Sequence, residues 1–202
     1  MPRITEERRE ARRKQIIEAA RACVQEHGLE AVSMEMIIAR SGLSTGAVYR
    51  YFKGKDEVIR AAVAVGLDGL SQALAPVLNT PDPPPLPEFT GQVLTAGLGY
   101  AHGHSGIDLM LVAVHGWSHV QTVPELKAMA LARFQGLRER FAAVVRKWQA
   151  AGTVDPQADP DAMAQLMLSI VLGFIAQRAL AGDADPQAHV AALAALAQAP
   201  AN

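Results

Sequence analysis

The sequence predicts an all-α fold in two parts: a small N-terminal three-helix unit and a larger C-terminal helical domain. Three observations predict it. Half of the 202 residues are hydrophobic, only 5% are aromatic, and alanine and leucine dominate, a composition that favours helix. Apolar residues fall at helical spacing, and from Glu88 to Asn202 no stretch alternates as a strand would. The charge is also unevenly shared. Residues 1–55 carry eleven Lys/Arg and seven Asp/Glu, a net +4; the rest carries eight and thirteen, a net −5. A basic N-terminal piece and an acidic remainder imply that only the first meets a polyanion.

The elements follow in order. Residues 1–8 are polar and expected to be loose. Arg3, Arg8, Arg9, Arg12, Arg13 and Lys14 are interleaved with Glu6, Glu7 and Glu10. This reads either as a solvated helix start with salt-bridge spacing or as an arm that touches phosphate or a minor groove. The first helix runs from about Glu7 to Glu26. Ile16, Ile17, Ala20, Cys23 and Val24 form its buried stripe, and His27-Gly28 end it. Cys23 is the sole cysteine, so no disulfide forms within a chain and no cysteine zinc cluster exists. Its place on the stripe reads as a small core residue, against the alternative of a redox switch.

From Ser33 to Lys55 the sequence reads as two short helices around a glycine turn. Ser33 is an N-cap, and Met34, Ile37 and Ile38 give the first of them an apolar face. Gly42 breaks the run where a left-handed residue is wanted. Ser44 or Thr45 caps the second helix, which Val48 and Phe52 anchor. Two helices joined so tightly make a helix-turn-helix, whose second helix enters the major groove. Thr45 can reach base edges, and Gly46 lets the backbone approach. Tyr49, Tyr51 and Lys55 can hold phosphates, and Arg50 either a phosphate or a guanine edge. The caps Ser33 and Ser44 complete the candidate DNA-contacting set.

Together with the preceding helix, this stretch resembles the DNA-binding domain of the TetR (tetracycline-repressor) family. The residues that carry the resemblance are Ile16, Ala20, Gly28, Ser33, Ile37, Ser41-Gly42-Leu43-Ser44, Gly46, Tyr49, Tyr51-Phe52 and Lys55. Ile38, Met36 and Gly54 depart from the usual alanine, acidic residue and serine, and none of the three removes a DNA-facing group. The domain boundary is expected at residue 54, with 1–54 the helix-turn-helix domain and 55–202 a helical ligand-binding and dimerisation domain.

A long helix is expected from Lys55 to Leu78, with Asp56 and Glu57 in its first turn, where the helix dipole favours negative charge. Asn79–Pro87 holds five prolines in nine residues and must be a surface connection. Helices are then expected at about 88–102, 106–121, 124–151, 160–181 and 186–198. Pro124, Asp159-Pro160 and Asp185-Pro186 start three of them, and Gly152 and Gly182 end two. No apolar run is expected to approach the length of a membrane span, and the N-terminus has no signal-peptide core, so a cytoplasmic protein without membrane contact is expected.

Residues Trp148–Leu196 again resemble the family, whose last two helices form a dimer interface. Met163, Leu166, Met167, Ile170, Phe174, Leu193 and Leu196 are the expected interface residues. Independently, a helix apolar around most of its circumference is either buried or paired with another chain. A two-fold dimer would offer two recognition helices to a palindromic operator.

The C-terminal domain is expected to hold a small-molecule effector, hydrophobic or aromatic, among Tyr100, Met110, Val114, Trp117, Phe134, Leu137, Phe141, Phe174 and Gln177. No cofactor and no metal are expected in that reading. The alternative is a metal-responsive regulator, because His115 and His119 are four apart and His102 and His104 lie near. A helical enzyme is the third reading. It lacks a nucleophile–base signature, a cofactor fingerprint and a carboxylate dyad. The expected function is therefore a homodimeric transcriptional regulator, a repressor released from double-stranded DNA by its effector.

Overall fold

The computed structural model describes residues 6–103 and 107–197. Within them lie nine helices and no β-strand element: α1 (Glu6–Ala31), α2 (Met34–Ser41), α3 (Thr45–Tyr49), α4 (Lys55–Leu78), α5 (Leu86–His102), α6 (Leu109–Thr122), α7 (Pro124–Ala150), α8 (Pro160–Ala181) and α9 (Pro186–Ala197). The boundaries follow local chemistry. Gly28, at φ 72° and ψ 161°, interrupts α1 where the sequence places its end. Gly42 is left-handed at φ 66° and closes α2 by donating its N–H to the Ala39 carbonyl. Asp159 caps α8 through its carboxylate, and Gly182 at φ 77° ends it.

Three buried clusters hold the helices. The first fills the N-terminal head with Ile16, Ile17, Ala20, Cys23, Val24, Ile37, Val48 and Phe52. Cys23 is thus a core residue, and burial pushes its thiol pKa up. The head cluster also takes in residues beyond position 54. Val58, Ile59 and Ala61 of α4 and Leu126 of α7 belong to the same cluster. Ile38 is accommodated as a partly buried neighbour of it.

The second cluster joins the end of α4 to α5, α7 and α8 around Phe89, Phe141 and Trp148. Phe89 meets both aromatic rings edge-on, at centroid distances of 6.3 and 5.3 Å. The proline-rich connection is fastened to this cluster. Trp148 Nε1 donates to the Pro83 and Pro84 carbonyls, at 3.2 and 3.0 Å, and Lys147 donates to the Thr80 carbonyl. The third cluster gathers Leu94, Ala101, Met110, Phe174 and Ala184.

Helices α4 and α8 are long and apolar enough, by length and composition, to cross a membrane. The expectation that no run approaches that length is therefore corrected. Between Ala61 and Leu78 only Asp68 is charged. Here α4 packs on α1, α5 and α7, and α8 packs on α7, α6 and α5.

Replacing Phe89 with alanine should cost about 3–5 kcal/mol, since a fully buried ring with two aromatic partners leaves a cavity. Urea unfolding followed by circular dichroism measures it.

Candidate nucleic-acid interface

The helix-turn-helix is built by reciprocal caps. Ser33 Oγ accepts from Met36 N at 3.3 Å to start α2, and Ser44 Oγ accepts from Ala47 N at 3.3 Å to start α3. Between them Ser41 Oγ donates to the Ile38 carbonyl at 2.8 Å and accepts from Leu43 N at 3.3 Å, which fixes the turn. Gln15 of α1 donates to the Ser41 carbonyl at 2.6 Å, so α1 holds the turn from behind. The Arg40 guanidinium grips Glu26 in a fork at 2.5 and 2.6 Å, tying α2 to α1. That contact holds the Glu26 carboxyl below its usual range. Both partners are well exposed, so the pair orients α2 more than it stabilises the fold. What it contributes is present at neutral pH and fades as pH falls through the lowered pKa.

Helix α3 is only five residues long, and its two faces differ sharply. Val48 is fully buried and Phe52, just beyond the helix, is 2% exposed. Ser44, Thr45, Gly46, Tyr49 and Arg50 face outward, and Tyr49 is 46% exposed. Arg50 Nε donates to the Gly46 carbonyl at 3.3 Å, which lays its guanidinium along α3. A Cβ at Gly46 would meet nothing within 4 Å, so the backbone there is open to close approach. A row of Thr, Gly, Tyr and Arg on one exposed helix matches the width and chemistry of a major groove.

Two candidates are placed differently. Tyr51 is half-buried and packs against the head core. Lys55 turns inward: its Nζ donates to the Leu29 carbonyl at 2.9 Å and the Glu30 carbonyl at 3.4 Å. In this structure it satisfies the carbonyl end of α1, as cations near a helix C-terminus do. Nearby, Glu57 accepts from Lys53 N at 2.6 Å, which makes up for the missing side-chain cap at Gly54.

The expected effector-lining residues are not brought to one place. Phe141 belongs to the closed second cluster, with Phe134 and Leu137 partly buried against it; Met110 and Phe174 belong to the third. Trp117 is 37% exposed and Gln177 is exposed. Val114 is half-buried on α6. The Tyr100 hydroxyl points to α4 and donates to the Gly66 carbonyl at 3.0 Å. Among the expected interface residues, Met167 and Phe174 are buried within their own chain and Met163 packs partly inside the second cluster, whereas Leu166 and Leu196 are 59% and 75% exposed. Ile170 and Leu193 are half-buried. Periodicity on an almost wholly apolar helix could not separate the inner from the outer rows.

The metal alternative finds no support. His104 and the side chain of His119 lie outside the described residues. Among the described residues no three His, Cys, Asp or Glu side chains form a metal-holding group. His115 instead sits by Gly28, against which α6 packs. One residue escaped the sequence reading: Arg21, a charge that is only 2% exposed. Its position gave a signal, since it stands four after Ile17 and three before Val24, on the apolar stripe itself.

Lys55→Met should lower stability by about 1–2 kcal/mol, because it leaves the carbonyl end of α1 without its donor. Thermal unfolding measures this in the absence of DNA. An unchanged melting curve would mean that the lysine is not needed there.

The fold and the sequence agree on kinship. Residues 16–62 match the family described as bacterial regulatory proteins, tetR family. Residues 106–199 match the C-terminal domain of the BetI-type transcriptional repressor. Similar proteins include the HTH-type transcriptional regulator YfiR of Bacillus subtilis, 36% identical over 67 residues, which are 33% of this chain and 33% of that one. The HTH-type transcriptional regulator BetI of Serratia proteamaculans is 26% identical over 183 residues, 90% of this chain and 88% of that one. The chain spans a third to a half of the length of the first curated relatives it matches. The same fold occurs in a putative transcriptional regulator from Saccharomonospora viridis solved in complex with choline. It has a TM-score of 0.75, 17% identity, and coverage of 95% of this chain and 97% of that one. With a matching head, a matching C-terminal half and a shared fold, the chain belongs to the TetR family of bacterial regulatory proteins.

Proposed function

We propose that this protein is a homodimeric, sequence-specific transcriptional repressor that leaves its operator when a small molecule enters the C-terminal domain. One observation carries the reading. The outer row of α3 offers Thr45, Gly46, Tyr49 and Arg50 to solvent while Val48 and Phe52 lock that helix to the head. The basic excess of residues 1–55 supports the choice of a polyanion.

The two-fold partner is a second copy. Leu166 and Leu180 of α8 and Leu196 of α9 are 59%, 82% and 75% exposed. Such large apolar side chains left open on adjacent helices fit pairing with the same helices of another protomer.

The packing pattern supports an effector chamber. No described residue from Ala62 to Ala73 on α4, from Leu111 to Glu125 across α6, or from Leu131 to Arg140 on α7 is buried. A filled bundle buries side chains at every turn. The half-buried state of these midsections supports placing the chamber between the head core and the second cluster. Leu67, Val114 and Phe134 are its half-buried apolar walls, which suit a hydrophobic guest. The regulator of the same fold that was solved in complex with choline supports a second guest, a choline-like cation. Trp117 and Phe134, in none of the edge-on pairs described above, are candidate rings to face it.

Release follows if the guest binds the DNA-incompetent state better, since equal affinity shifts nothing. Reciprocity then requires that operator DNA weaken effector binding by the same factor.

Selection from random duplexes at fixed salt should enrich a palindrome, and absence of enrichment would overturn the reading. Thr45→Ala should change the enriched bases, and an identical motif would remove its base-reading role. With the operator in hand, release is scored for choline and for a panel of apolar compounds; release by choline alone would select the cationic guest. Leu166→Glu should convert the dimer to monomer in sedimentation equilibrium and weaken operator binding by about tenfold or more, as loss of one half-site contact requires. A dimer unchanged by this substitution would move the interface elsewhere.

A further inference from the structure

Arg21 is buried in the head, and its hydrogen bonds tie α1 to α4. Nη1 pairs with Glu18 at 3.0 Å on α1, and Nη2 donates to the Ala62 carbonyl of α4 at 3.1 Å. One turn further along α4, the Tyr100 hydroxyl of α5 donates to the Gly66 carbonyl at 3.0 Å. The Arg21 guanidinium also acts on the Tyr100 phenol, opposing the rise in its pKa that burial causes. A single polar joint thus ties together the head helix α1, the connecting helix α4 and the C-terminal helix α5.

Of the two glycines beside it, one makes room for it. A Cβ at Gly66 would lie 3.4 Å from Arg21 Nη2, which is ordinary contact distance. A Cβ at Gly69 would lie 2.2 Å from Tyr100 Oη and 2.6 Å from the ring, closer than atoms can approach. The ring can sit on the α4 backbone only because position 69 has no side chain. The chemistry also suits a joint rather than a wall of apolar packing. Hydrogen bonds are directional, so they narrow the range of angles that side-chain packing allows between helices.

We propose that Tyr100 is a positioning residue. Seated on Gly69 and bonded to Gly66, with Arg21 beside it, it fixes the angle between the head and the C-terminal domain and so sets the half-site spacing that a dimer accepts. The inference rests on the reading of the protein as a DNA-binding dimer. In such a dimer the distance and rotation between the two recognition helices are read by DNA as spacing. Removing the phenol hydroxyl leaves the ring but frees the angle, so neighbouring spacings become acceptable.

The test uses the full-length dimer and three duplexes: the selected operator and versions with the centre lengthened or shortened by one base pair. Wild-type protein should prefer the selected spacing by about tenfold or more at fixed salt. Tyr100→Phe should reduce that preference to about twofold or less, mainly by gaining affinity for the wrong spacings. Gly69→Ala, which drives the ring off α4 while favouring helix, should do the same. A merely structural tyrosine would lower the melting temperature and weaken all three duplexes alike, leaving the preference intact. That result in both variants overturns the proposal. A wild-type protein without any spacing preference would instead overturn the dimeric DNA-binding reading, and this inference with it.

Discussion

Helix α4 belongs to two hydrophobic cores at once, and the architecture depends on that. Val58, Ile59 and Ala61 complete the head, whereas Leu74 and Leu78 complete the second cluster. An α-helix of 24 residues is about 36 Å long and stiff, because its turns are closed by hydrogen bonds, with Pro76 near its end lacking a donor. The two cores therefore cannot move independently. A change in how the distal cluster packs must tilt the helix that the head is built on. Coupling of this kind needs no special pathway, only a stiff element anchored at both ends.

The head shows how few interactions a reading surface requires. Helix α3 is too short to be stable by itself, since an isolated five-residue segment cannot repay the cost of nucleation. It persists because Ser44 caps it, Val48 and Phe52 bury one side, and Ser41 and Gln15 fasten the turn before it. With its inner face spent on packing, its outer face is free to carry polar residues. The inward turn of Lys55 follows the same economy of contacts: the broken end of α1 offers carbonyls within reach, and the ammonium satisfies them.

The C-terminal domain concentrates its buried side chains in two regions, while the midsections of α4, α6 and α7 are half-buried or exposed. Aromatic rings concentrate at the far end, where Phe89, Phe141 and Trp148 meet edge-on. That end carries stability. The half-buried midsections of α4, α6 and α7 contribute less to it. The exposed leucines of α8 lie on the opposite row from Ala164, Met167 and Leu168, so one helix feeds an inner cluster and keeps an apolar outer row.

The sequence by itself determined the helices and their ends. Ser33, Gly42, Ser44, Asp159 and Gly182 act on the backbone within a turn of themselves, so their effect is legible locally. The outward set on α3 was legible for the same reason, because Val48 and Phe52 fix which side is buried. Only the tertiary structure decided the rest. Lys55 found its partners 26 and 25 residues away, and Tyr100 found Gly66 at a separation of 34. On α8 an apolar residue stands at nearly every position, so periodicity carried no sign of which row faces inward. Contacts across long separations depend on how helices cross, and crossing angles are set by the whole surface of each helix rather than by any local pattern.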